Sequence, residues 1–298
     1  HPDKGIILLS RNKNKELFFL TIGGYGATGI ILEVTLQVYA IKSNILEVEN
    51  VSFSSIRESY EILINEKENY DYFHGWCSIS PSGKQKGIMS LGRISDKGFE
   101  SSNKPKLCNI SPFHNSKKIN LFGTCVMSLI NLIYYMLNKF FYKKTKDLYD
   151  FLFPSSKNFF YFSMFGDNGV IEHQVIIPHD NVSSYVQELE SIIIRNKPRV
   201  SLCHMKLFRG KTNYVNFDGD GFCLALHFFN NNASCTTLKE IDLIDIKYNC
   251  IANLIKDSRI STESIIKQYP NYKNFVNSVK EYDPTLKFSN LILEKIFK

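Results

Sequence analysis

The sequence lacks the spacings that mark a stapled or metal-bound fold. Its seven cysteines, at 77, 108, 125, 203, 223, 235 and 250, are odd in number and contain no Cys-x-x-Cys pair, and its seven histidines are equally scattered. This argues against a disulfide framework and a structural zinc site, so no metal is expected and a reducing compartment is favoured. Internal repeats and long low-complexity tracts are also absent, which speaks against a solenoid and against wholesale disorder. Neither sign of charge dominates: 36 Lys and Arg against 29 Asp and Glu leave a net +7. That mild excess suits an anionic membrane surface or a phosphorylated substrate, and no nucleic-acid partner is expected. An initiator Met and a signal peptide are missing too. The chain opens His1-Pro2-Asp3-Lys4, which reads as a processed or truncated chain. What is present is apolar mass: 44% hydrophobic against 22% charged residues over 298 positions describe a globular chain with room for two domains.

Periodicity gives a mixed architecture. Lys15 to Thr21 reads as a short helix, and alternation of Leu32, Val34, Leu36 and Val38 with polar residues predicts a half-buried strand. Ser55 with Glu58 three residues on is a capping box for a helix carrying Ile56, Tyr60, Leu63 and Ile64. Strands are expected at 72–79, 87–93, 159–165, 170–177, 202–208 and 222–229, and a long loop over 94–118. Helices are expected at 180–196, 238–254, 262–268, 271–281 and 289–297. The elements lie too close together for serial βαβ crossovers, so the fold class is α+β with an antiparallel sheet.

Gly24-Tyr25-Gly26-Ala27-Thr28-Gly29 matches G-x-G-x-x-G letter for letter. A dinucleotide fingerprint needs that loop to leave a strand and open a helix, whose free N–H groups then face the pyrophosphate. Here a helix precedes and a strand pattern follows. Two readings remain: a tight turn that uses glycine for positive φ, or bare backbone lying close against a cofactor.

From Ile119 to Asn138 there is no charged residue, and lysines flank the stretch on both sides. Length makes it a candidate span. However, Asn120, Thr124, Ser128, Asn131, Tyr135, Asn138 and Tyr142 form one polar stripe, opposite Phe122, Val126, Leu129, Ile133, Met136 and Phe140. Such an amphipathic helix over 119–142 packs on a protein core or lies on a membrane surface more readily than it crosses lipid.

Taken singly, the polar residues of the C-terminal half have plain structural roles. Gln174 reads as a sheet residue, Lys206 as a solvated lysine, and Lys256 as a cation at a helix C-terminus. In order, however, GGYGATGIILEVTLQV (23–38), YFHGWCSIS (72–80), KGIMSLGR (86–93), EHQVIIP (172–178), HMKLF (204–208), GFCLALHF (221–228) and KDSR (256–259) carry a resemblance. QYPNYKNFV and YDPTLKFSNLILEKI extend it to the end. The chain resembles FAD-linked oxidases of the vanillyl-alcohol oxidase class, most closely the decaprenylphosphoryl-β-D-ribose 2′-oxidases.

That resemblance implies a FAD-binding domain split in sequence. Residues 1–42 and 251–298 would be pieces of it, with an α+β substrate domain, 43–250, inserted between. It implies Gly24, Gly26 and Gly29 along the flavin and Lys256 at the isoalloxazine as the catalytic cation, with Trp76, Gln174, Lys206 and Phe208 in the substrate pocket. Glu172 stands where the family has a pocket glutamine, Ala225 where it has a cysteine, His227 where an aspartate is common, and Asn253 where it has an aromatic residue. The implied activity is oxidation of a secondary hydroxyl of a sugar, a polyprenyl-phosphate-linked pentose, as the first half of a 2′-epimerisation. A partner reductase would complete it. The family's pyrophosphate loop has no counterpart here, so flavin binding by this chain alone is expected to be weak. Two other readings stand beside this one: an aldonolactone or alditol oxidase on soluble sugars, and a non-catalytic partner subunit without its own FAD site. The expected location is cytoplasmic or peripheral to a membrane, with the periplasmic face left open.

Overall fold

A computed structural model of the chain describes residues 1–98, 119–121, 126–153, 160–256 and 259–298. Its strands are β1 (Ile45–Phe53), β2 (Tyr72–Ile79), β3 (Gln85–Ile94), β4 (Lys143–Asp147), β5 (Val170–Ile177), β6 (Val200–Arg209), β7 (Asp220–Phe229) and β8 (Ile251–Ala252). They form one eight-stranded sheet in the order β4-β1-β3-β2-β6-β7-β5-β8, and every pairing is antiparallel. The helices are α1 (Lys15–Thr21), α2 (Ile56–Glu66), α3 (Val126–Phe140), α4 (Leu148–Leu152), α5 (Phe160–Ser163), α6 (Val182–Asn196), α7 (Asn232–Lys247), α8 (Thr262–Gln268), α9 (Tyr272–Tyr282) and α10 (Leu291–Ile296). The α+β antiparallel class expected from the sequence is what the chain adopts.

Strand alternation sorts the sheet into two faces. Cys77, Met89, Cys203, Met205, Leu224, Leu226 and Val175 join one buried core with Ile56 and Leu63 of α2, Tyr185, Val186 and Leu189 of α6, and Leu238 and Ile241 of α7. Each such aliphatic side chain contributes about 1.5–3 kcal/mol on burial. The α2 start follows its sequence signature, since Ser55 accepts from the Glu58 N–H and Glu58 reaches back to Ser54. Every second residue of the same strands points to the opposite face, and there the polar side chains collect.

Four expectations need correction. Residues 30–40 have no regular structure, and Leu32, Val34, Leu36 and Val38 are exposed. Alternation alone does not make a strand, and residues 30–40 pair with neither edge strand, β4 or β8. The strand expected at 159–165 is instead the turn of helix α5, while residue 159 lies outside the described residues. The helix expected at 238–254 begins at Asn232, because Asn231 accepts from the Ser234 N–H as its N-cap. It ends by Asn249, which turns left-handed at φ 54°, and the chain then pairs as β8. Lys256 therefore lies in a turn after β8, not at a helix C-terminus.

Helix α3 sits on the polar face and is turned inside out. Its buried residue is Asn131, whose Nδ2 donates to Ser78 Oγ at 3.0 Å. Tyr134 packs on Trp76 with ring centroids 4.5 Å apart, and Asn50 Nδ2 donates to the Asn138 carbonyl at 3.1 Å. Leu129, Ile133, Met136 and Phe140 face outward and are exposed. Of the stripe residues, Asn120 bridges to Phe165 ahead of the helix, Tyr142 follows it, and Phe122 and Thr124 lie outside the described residues. Among the described residues no helix is long and apolar enough to cross a membrane. The 15 residues of α3 fall short of the roughly 20 that a span needs.

Candidate functional site

Register on the polar face places the expected residues in rows across four strands. Gln174 of β5 pairs with Ala225 of β7, Ala225 with His204 of β6, and His204 with Trp76 of β2. One step along, Glu172 pairs with His227, and one step the other way Cys223 pairs with Lys206. Phe208 lies further toward the strand end, opposite Gly221, where it packs on Phe217 at 5.4 Å.

Glu172 is the centre of the polar row. Its Oε2 accepts from Lys256 Nζ at 3.0 Å and its Oε1 lies 3.7 Å from His227 Nε2. Burial pushes this carboxyl up, but the hydrogen bonds and charges of His227 and Lys256 outweigh burial and bring it down to about 2. It is therefore ionised throughout the neutral range. Behind it, the Tyr161 hydroxyl lies 2.9 Å from both His227 Nδ1 and Ser201 Oγ. His204 stands between His227 and His74, with ring centroids at 5.4 and 5.6 Å. Burial first, and then like-charged neighbours, lower His74 to about 4 and His204 to about 3, so both rings are neutral.

The neighbouring substitutions fit together. Asn253 Nδ2 donates to Gln174 Oε1 at 2.8 Å, and its N–H donates to the Gln174 carbonyl at 2.8 Å. Gln174 is thus clamped by the turn that carries Lys256. Lys206 is exposed beside His74 and His204 and contributes to lowering both. Asp257 and Ser258 of the KDSR stretch lie outside the described residues.

The glycine loop does not touch these side chains. Gly24 is fixed by its own helix, since a Cβ there would meet the Leu20 carbonyl oxygen at 2.1 Å. Gly26, at φ +80°, has open space where a Cβ would stand, and Gly29 has φ +149°. Tyr25 of the loop instead donates to the Val215 carbonyl at 2.9 Å. Burial raises the Tyr25 phenol to about 12, partly offset by its hydrogen bond with Tyr269, whose hydroxyl donates to the Ala252 carbonyl of β8.

His204, His74 and Tyr161 were not singled out by sequence reasoning. The two histidines lie inside the quoted HMKLF and YFHGW stretches, where alternation places each on the face shared by Trp76 and Lys206. Tyr161 gives no such signal, because it enters from a helix. On the helix-covered face, His173, Asp242 and Asp245 have ligand atoms within 4.8 Å of one another. Arg259 already grips Asp242 at 2.6 and 2.8 Å, Tyr185 donates to Asp245 at 2.8 Å, and His173 Nε2 lies 3.1 Å from Asp245, so these groups are engaged with neighbouring side chains.

No protein-family profile matches the chain. Over 287 residues it is 20% identical to the decaprenylphosphoryl-β-D-ribose oxidase of Mycolicibacterium smegmatis, covering 91% of this chain and 61% of that protein. Over 74 residues it is 36% identical to the mitochondrial L-galactono-1,4-lactone dehydrogenase of Arabidopsis thaliana, covering 24% of this chain and 12% of that one. Among solved structures, the BBE-like 1 protein of Physcomitrella patens superposes with a TM-score of 0.54 at 11% identity, over 97% of this chain and 62% of that one. The chain thus spans about three fifths of the length of the relatives that cover most of it. These likenesses bear out the resemblance to FAD-linked oxidases read from the motifs, and the solved structure supports the fold.

Proposed function

We propose that this chain is the substrate-domain-bearing part of a FAD-dependent oxidoreductase that oxidises a secondary hydroxyl of a sugar. The proposed substrate is a polyprenyl-phosphate-linked pentose, oxidised as the first half of a 2′-epimerisation. The observation that carries the reading is the Lys256–Glu172–His227 row on the polar face of the sheet, with Gln174 and Trp76 beside it. Similarity to the M. smegmatis oxidase along 91% of the chain supports the substrate class.

The chain has groups suited to a flavin. Lys256 offers a reachable cation for an anionic ring edge, and Gly26 offers bare backbone with room against it. When bound, FAD supplies the acceptor for a hydride from the sugar carbon. The chain's own residues handle charge and protons. Glu172, ionised down to about pH 2, is too weak a base to take the hydroxyl proton and serves to hold Lys256 and His227 in place. Imidazole is the commonest side chain for proton acceptance, and His227, held between Glu172 and the Tyr161 hydroxyl, is the candidate for that role. Lys206, which is exposed, orients the substrate by charge toward a phosphate, while Trp76, buried under Tyr134, backs the row from beneath α3.

The test is anaerobic mixing of the flavin-loaded protein with a polyprenyl-phosphoryl pentose while flavin absorbance is followed. Bleaching is expected, and Lys256→Ala should slow it by about 100-fold. No bleaching, or an unchanged rate in the variant, overturns the reading. The local likeness to the lactone dehydrogenase favours a second reading, oxidation of a soluble aldonolactone. Bleaching by the lactone and not by the lipid-linked sugar would select it.

A further inference from the structure

We infer that the outward face of α3 is a docking surface for an anionic lipid bilayer. An amphipathic helix on a folded protein normally turns its apolar stripe inward. Here Asn131 is turned inward, and Leu129, Ile133, Met136 and Phe140, at successive four-, three- and four-residue steps, face out with 50–77% of their surface exposed. Leu132, Leu137, Phe141 and Tyr142 widen the strip. A run of exposed aliphatic and aromatic residues on this scale marks an interaction surface.

Charge selects the occupant. From Ile119 to Lys146 there is no Asp or Glu, while Lys139, Lys143, Lys144 and Lys146 follow one another closely. Lys139 and Lys143 are exposed at the C-terminal end of the apolar strip. An apolar stripe with one-sign basic residues and flanking tyrosines matches the headgroup boundary of an anionic membrane. Side chains enter the acyl edge, tyrosines sit at headgroup level, and lysines meet phosphates. A second copy of the chain is a poorer partner, because the same face on both sides would bring the lysines together. The seat of α3 on Asn131 and Tyr134 lets the helix keep its place on the sheet while its other face meets lipid. The inference rests on α3 alone and does not depend on the sugar reading.

Vesicle flotation tests it. The purified chain is mixed with vesicles of phosphatidylglycerol and phosphatidylcholine in equal parts, and separately with phosphatidylcholine alone, at low and high salt. Flotation with the anionic vesicles, lost at high salt, is expected. Lys139→Glu with Lys143→Glu should weaken it by about 30-fold or more, from the attraction of each lysine to an anionic surface. Ile133→Ser with Phe140→Ser should weaken it by at least a similar factor. The only tryptophan, Trp76, lies under Tyr134, so its emission shows whether α3 keeps its seat in each variant. Absence of flotation by the parent chain overturns the inference. So does flotation unchanged by both variant pairs while Trp76 emission is preserved, and so does concentration-dependent dimerisation abolished by Ile133→Ser with Phe140→Ser in place of vesicle binding.

Discussion

Glu172 and Lys256, 84 residues apart in sequence, meet at 3.0 Å where the turn after β8 folds over the polar face of β5. The contact ties the C-terminal segment to the sheet, and it explains why a carboxylate is tolerated where only a fifth of the side chain is exposed. Glu172 is largely desolvated and is held by both Lys256 and His227, whereas Lys256, about half exposed, keeps contact with water.

Replacing Glu172 with Gln should therefore cost stability in a pH-dependent way. The carboxyl falls from 4.5 to about 2 on folding. A group lowered in this way stabilises the fold above its unfolded pKa and loses that contribution as pH falls through the folded value. Glu172→Gln is expected to cost about 1–2 kcal/mol at pH 7, below the roughly 3 kcal/mol of the full displacement because solvent reaches the pair. The difference between parent and variant should shrink between about pH 4.5 and pH 2 in urea titrations. A constant difference across that window would show that the ion pair does not stabilise the fold.

The histidine row predicts an acid limb at higher pH. His74 and His204 drop from 6.5 to about 4 and about 3 as burial keeps them neutral. Below pH 6.5 the unfolded chain takes up protons that the folded chain refuses, so stability falls with pH, by up to about 1.4 kcal/mol per pH unit for each ring. His204→Asn should flatten this fall between about pH 6.5 and pH 3. Denaturation midpoints measured against pH for parent and variant check it, and parallel curves would mean the ring is protonated in the fold.

Helix α3 should depend on a polar contact for its seat. Asn131→Ala removes the donor to Ser78 Oγ and leaves that hydroxyl under the helix without its partner. A loss of about 1–2 kcal/mol is expected, together with a red shift of Trp76 emission as Tyr134 loosens. Asn138→Ala, at the more open end of the same stripe, leaves the half-buried Lys144 to solvent and should cost less, because Asn50 keeps the Asn138 carbonyl, Ser90 and the Tyr142 carbonyl as partners.

These contacts mark how far the sequence could be read. Strand patterning placed β2, β5 and β7 to within two residues, although β7 is buried along both faces and is marked by an apolar run more than by alternation. The same rule fails at 32–38, where the pattern is intact and a paired edge is absent. The polar stripe of α3 was legible as a stripe, but which side faced the protein was not. Hydrophobic periodicity assumes the apolar side turns inward, and Asn131 against Ser78 reverses it. Motif order named Glu172, Gln174, Trp76 and Lys256 one by one, and register together with the turn after β8 sets them on one face. It could not show that Glu172 would pair with Lys256 and His227, because Glu172 and His227, in neighbouring strands, and Lys256, in the turn after β8, create that network jointly. Tyr161 stayed invisible, since only the tertiary approach of α5 carries its hydroxyl to His227.

The glycine loop offers the sharpest division between packing and ligand approach. Gly24 and Gly26 belong to one motif, yet their surroundings differ. A Cβ on Gly24 would stand 2.1 Å from the Leu20 carbonyl oxygen, which cannot move without opening the end of α1, whereas a Cβ on Gly26 meets nothing within 4 Å. Gly24→Ala is therefore expected to destabilise the chain by about 3 kcal/mol or more, a loss on the scale of a backbone clash. Gly26→Ala should cost about 1–2 kcal/mol, the strain of an L-residue held at φ +80°. If the open space beside Gly26 admits a flavin, Gly26→Ala should in addition weaken FAD retention about tenfold or more, a loss out of proportion to its small effect on folding. Urea denaturation of both variants, with FAD titration followed by flavin fluorescence, separates the two effects. Equal loss of stability in the two variants would contradict the packing argument. Unchanged FAD affinity in Gly26→Ala would remove the loop from the cofactor site while leaving the Lys256–Glu172 row intact.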